Sequence, residues 1–149
     1  MSMADLVDAA NVEDSWGLHD GILRRLDWDW VHRTLRLDVT IALGARQERC
    51  RDGSMDIQDV AFVVVEPPAA ALRAPGGDWE IDVGRMTDLK RSPSSLPPPP
   101  EGHWVNWIFS HQANAFLYIC AAHAAFVWTG DERTGSGGVF LPGDEIPDP

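Results

Sequence analysis

Positive charge is scarce in this chain: 12 Lys and Arg stand against 23 Asp and Glu, a formal net charge of −11. Nucleic acids and anionic membranes are bound by cationic neutralisation, so neither is an expected partner. Cysteine is nearly absent. Cys50 and Cys120 form no CxxC pair and no zinc-ligand spacing, and usage this sparse predicts two reduced thiols. Long apolar runs are missing as well. The longest, Ala115 to Trp128, is broken by His123 and is shorter than the roughly 18 residues a bilayer-crossing helix needs. The opening MSMADLVDAANVEDSW has neither the basic start nor the apolar core of a secretory leader. A cytoplasmic location is the expectation.

Catalytic signatures are missing too. The chain contains no GxxxxGK[ST], no GxGxxG that follows a strand and opens a helix, no GxSxG elbow and no HExxH. The glycine-rich run Gly130 to Gly138 is acidic and precedes no helix, so it reads as loop. No cofactor and no metal are expected, and the protein is expected not to be an enzyme.

What is present is a strand pattern. At 149 residues the chain is one domain by length and large enough to bury a core without staples. Residues 1–15 read as a tail or a short helix. Residues 16–129 read as a single β domain, and residues 130–149 as an acidic Gly/Pro-rich tail with Phe140 and Leu141 as its apolar contacts. From Gly21 the chain alternates with period 2, placing Ile22, Arg24, Leu26, Trp28 and Trp30 on one face. His32-Arg33 is a short connection. Leu35, Leu37, Val39 and Ile41 then share one face of a second strand. So short a link demands an antiparallel hairpin.

Gly44 to Gly53 is polar and turn-like. Ser54 to Val65 is extended, with a parity change near Asp59 that predicts a bulge or bend. Pro67-Pro68 ends it. Ala69 to Gly77 reads as loop or a single helical turn, and Asp78 to Gly84 alternates again. Residues 91–102, RSPSSLPPPPEG, favour polyproline II and read as an exposed link inside the domain. His103 to His111 is the next strand, Gln112-Ala113-Asn114 a hairpin turn, and Phe116–Ala122 and Ala125–Trp128 the last strands, split near His123. The fold class is mainly β: an antiparallel β-sandwich or a curled, partly closed sheet with at most one or two short helices.

Seven Trp exceed the needs of one small core, which predicts one or two indoles at the surface. Trp28 and Trp30 are the first candidates, interleaved with Asp27 and Asp29 as an acidic recognition surface for a basic partner. Trp107 is the third. His19-Asp20-Gly21 precedes the first strand, either as a structural turn or as a polar contact at a strand-end site. A three-residue turn at 112–114 sets His103 opposite His123, within reach of a shared proton or ion. A one-residue slip would destroy that pairing.

The run WGLHDGILRRLDWDWVHRTLRLDVTI, the later MDIQDV and the closing Trp107 to Trp128-Thr-Gly resemble small bacterial β-rich domains. These open with a His-Asp turn and a hairpin, and some are grouped with immunity proteins of toxin–immunity systems. The resemblance covers about residues 16–130; the proline loop and the C-terminal tail depart from the pattern. It implies His19 and Asp20 as the matching polar positions and a cationic toxin as partner. Three functions follow as expectations. The first is a non-enzymatic domain that binds a basic protein, as immunity proteins do. The second is a small-molecule binder or enzyme with a pocket lined by Trp and by His103, His111 or His123. The third is an assembly subunit that dimerises through an unpaired strand edge.

Overall fold

The computed structural model describes residues 1–9, 18–67, 79–90, 93 and 95–135. Trp16, the expected loop at 69–77, and Phe140 and Leu141 lie outside them. A short helix, α1 (Met3–Ala9), precedes nine strands: β1 (Gly21–Asp29), β2 (Thr34–Leu43), β3 (Arg49–Gln58), β4 (Phe62–Val65), β5 (Trp79–Arg85), β6 (Trp104–Ser110), β7 (Ala115–Ala121), β8 (His123–Trp128) and β9 (Arg133–Thr134). A single 3₁₀ turn covers Met86–Asp88. No helix among the described residues is long and apolar enough to cross a membrane.

All pairings are antiparallel, in the order β4-β7-β6-β5-β1-β2-β3-β8, with β9 added beside β3. The sheet is open, with β4 and β8 at its ends, but it curls strongly. Two corners cause this. Asp59 takes a left-handed φ of 56° between β3 and β4, where the parity change predicted a bend. Ala122 interrupts β7 and β8 at the same level. The Ala61 amide donates to the Cys120 carbonyl at 2.8 Å and the Ala122 amide to the Gln58 carbonyl at 3.3 Å. Two long bent strands therefore turn the corner side by side. One core cluster joins Leu35, Leu37, Val39, Ile41, Met55 and Ile57 of β2 and β3 to Ile81, Ile108 and Ile119 of β5, β6 and β7. Each such side chain contributes about 1.5–3 kcal/mol on burial.

Four sequence expectations need correction. The face expected to hold Ile22, Arg24, Leu26 and Trp28 is broken by a bulge. Leu23 pairs with Val39, but Arg25 pairs with Asp38, so Arg24 is the extra residue. Leu26 and Trp28 thereby fall opposite Leu37 and Leu35, on the apolar face of β2. The first strand also ends at Asp29, and the connection is the four residues Trp30–Arg33, with Arg33 at φ 54°. Arg49 to Gly53, expected as turn, is strand, because its charges are taken up across the sheet. Asp52 accepts two bonds from the Arg133 guanidinium at 2.8 and 3.0 Å and one from the Thr40 hydroxyl at 2.6 Å, and Arg51 lies over the Trp128 ring. The start of the expected tail is strand as well: Arg133 and Thr134 pair with Cys50 and Arg49 of β3.

The N-terminal segment is built into the domain. Ser2 and Asp5 cap α1 reciprocally, Ser2 Oγ accepting from the Asp5 amide and Asp5 from the Ser2 amide. The Ala4 amide donates to buried Asn106 Oδ1 at 2.9 Å, and Met3 is fully enclosed in the core.

Candidate functional site

The hairpin of β1 and β2 departs from the rest of the fold. β1 pairs with β5 only through Gly21, Ile22 and Leu23. Beyond that point, among the described residues, no strand lies along the outer edge of Arg25–Asp29. The same strip concentrates apolar exposure: Trp28 is 44% exposed, Trp30 77% and Val31 82%. The two indoles stack, with centroids 5.9 Å apart and planes at 28°. Hydrogen bonds hold the turn behind them. Asp29 accepts from the His32 amide at 3.0 Å and pairs with its Nδ1 at 2.7 Å. Those bonds, the amide first, hold the Asp29 carboxyl below its ordinary range. The Val60 amide donates to the Arg33 carbonyl at 3.0 Å, which ties the turn to the bend after β3.

Where β1 leaves β5, an apolar groove of about 560 Å³ opens. Leu23, Leu26 and Trp28 line one wall, and Val63, Trp79 and Phe116 line the other. Arg24, Arg25 and Glu66 stand at its polar margin. On the opposite face of the hairpin lies a smaller pit of about 320 Å³. There Asp27, Arg36 and Asp56 form one row across three strands, with Asp29 beside them. Arg36 bonds Asp38 at 3.0 Å. Its guanidinium is held charged beyond its ordinary range by Asp38 first, then by Asp56 and Asp27. Asp27 also pairs with Arg25 at 2.6 Å. The acidic surface expected around the indoles is thus threaded with arginine, and carboxylates are in excess only in the pit.

The other expected residues divide. Trp107 is half-buried. Its Nε1 donates to the Arg85 carbonyl at 2.7 Å, its ring lies across Gly84, and it meets Phe116 edge-on at 5.6 Å. His103 and His123 do not face each other. Trp104 pairs with Ala121 and Ser110 with Ala115, so the turn holds four residues, His111–Asn114, and the register is one residue off the expected one. His123 pairs instead with Gln58 on β3. None of His103, His111 and His123 lines the groove.

His19 and Asp20 lie on the far side of the β1–β5 junction and gather residues the sequence kept apart. Asp82 of β5 sits between two imidazoles, His19 Nδ1 at 2.7 Å and His111 Nε2 at 2.8 Å, and accepts from the Asp20 amide at 3.1 Å. Glu80 completes the group. No known family model, curated protein or solved structure matches the chain.

Proposed function

We propose that this protein is a non-enzymatic binding domain whose β1–β2 hairpin receives a basic protein, in the manner of an immunity protein. The observation that carries the reading is the stacked, exposed Trp28–Trp30 pair on a strand edge left unpaired among the described residues. Large apolar rings held rigid at low entropic cost are the groups that dominate protein interfaces. An unpaired edge offers backbone donors and acceptors to an extended segment of the partner. Such a segment would run beside Arg25–Asp29 and set apolar side chains into the groove. The pit of Asp27, Asp29 and Asp56 would take a lysine or arginine. A net charge of −11 steers a cationic partner toward the surface. Cys50 and Cys120, both free and buried, suit a reducing compartment such as the cytoplasm.

The pocket reading keeps the groove, whose size suits a small ligand, but loses the histidines it relied on. Calorimetric titration against the basic products of neighbouring genes, at low and moderate salt, tests the proposal. Saturable binding that weakens with salt and is lost in Trp28→Ala/Trp30→Ala supports it. Binding unaffected by that double substitution, or no binding by any of those products, overturns it. Dimerisation of the chain through this edge would support the assembly reading instead.

A further inference from the structure

The second feature lies away from the hairpin. β5 runs between β1 and β6, with Ile81 paired to Gly21 on one side and to Ser110 on the other. His19 and Asp20 immediately precede Gly21, and His111 immediately follows Ser110. Ile81 points into the core, so its neighbours Glu80 and Asp82 point outward into the same space. Five ligating side chains from three segments thereby converge. The ligating atoms of His19, Asp20 and Asp82 all lie within 4.8 Å of one another, and so do those of Asp20, Glu80 and His111. Asp20 belongs to both sets. Donors bound at about 2.0–2.2 Å to one ion stand roughly 3–4.4 Å apart, and each set lies near that spacing.

The electrostatics favour a cation there. Three carboxylates, Asp20, Glu80 and Asp82, meet two imidazoles there. Asp82 lies against both rings, His19 Nδ1 at 2.7 Å and His111 Nε2 at 2.8 Å, and so brings the two imidazoles to one place.

We propose that His19, Asp20, Glu80, Asp82 and His111 form a site for a divalent transition metal of the zinc class. Mixed imidazole and carboxylate donors select such ions over calcium or magnesium, which prefer all-oxygen sets. The site is half-open to solvent, with side-chain exposures of 60% for His19 and 38% for His111, so an ion can reach it. It joins the start of β1 to β5 and β6, the junction beyond which the hairpin edge is free. The sequence alone led to no expectation of a metal, because its five donors are scattered over three strand ends.

The test is titration of the full-length, chelator-stripped chain with Zn²⁺ alone, followed by calorimetry and by NMR of the histidine side chains. The expected result is one ion per chain. The ring signals of His19 and His111 shift, and those of His32, His103 and His123 stay in place. His111→Ala and His19→Ala each weaken binding at least about tenfold, while His123→Ala leaves it unchanged. Both histidines are partly exposed, so the variants should fold, and the ring shifts of the unaltered chain decide the matter if they do not. Absence of saturable binding, or binding that moves neither ring, overturns the proposal.

Discussion

At the residue scale, three positions make two separate predictions. Trp28 and Trp30 owe their exposure to the parting of β1 from β5 after Leu23 and to the four-residue turn, and neither ring fills the core. Trp28→Ala/Trp30→Ala should therefore cost under about 1.5 kcal/mol in urea unfolding, near the value of an aromatic pair, while removing partner binding. Gly84 is the opposite case. A methyl group there would meet the Trp107 ring, which would have to leave its bond to the Arg85 carbonyl. Gly84→Ala should cost about 1–3 kcal/mol, as overpacking does, with a shift in tryptophan emission.

Titration also acts residue by residue. Asp5 is drawn down to about 2, by Arg85 first. Asp29 and Asp52 are also lowered, by the His32 amide and by Arg133 in first place, and Asp82 is lowered despite its burial. Their folded forms bind protons less readily than the unfolded chain. The stability they give is present above about pH 4 and is lost as pH falls through their folded values. Glu80 has the reverse sign: its raised value gives stability below its ordinary 4.5 that is lost as pH rises through the folded value. In metal-free protein, thermal melts should show a steep fall below pH 4. A shallow decline just above 4.5 should disappear in Glu80→Gln. A melting temperature level from pH 4 down to 2 would contradict this account.

At the scale of elements, α1 is the clearest test. Composition alone made residues 1–15 a tail or a short helix. The reciprocal Ser2–Asp5 cap and the bond from Ala4 to Asn106 instead deliver Met3 into the core. Met3→Ala should cost about 2–5 kcal/mol, the range for a buried large-to-small change, and a chemical denaturation midpoint within error of the parent would refute it. The strands themselves were largely legible, because alternation reports directly which side chains face the core. Leu35, Leu37, Val39 and Ile41 show this, and the bend at Asp59 was visible as a change of parity. The bulge at Arg24 and the extra residue in the 111–114 turn were not legible. Each adds one residue with no local signal, and in a period-2 structure one residue exchanges the faces. Hence Leu26 and Trp28 moved to the apolar face of β2, and His103 lost His123.

At the scale of the whole molecule, strand order is what the sequence hides. β5 inserts between β1 and β6, and no short-range pattern states that order. Glu80, Asp82 and His111 therefore stood apart from His19 and Asp20 in the sequence until the topology placed them together. β1 parts from β5 after Leu23 while staying paired with β2, which opens the groove and frees the hairpin edge. Two features follow at opposite ends of one strand: a rigid aromatic edge and a histidine–carboxylate centre. On the proposed reading, the net charge of −11 steers a cationic partner and the hairpin receives it. The most direct measurement is calorimetry of the intact chain and of Trp28→Ala/Trp30→Ala against a basic gene-neighbour product at two salt concentrations. The account predicts binding by the intact chain that weakens as salt rises, and none by the variant. Equal affinity for both proteins would contradict it.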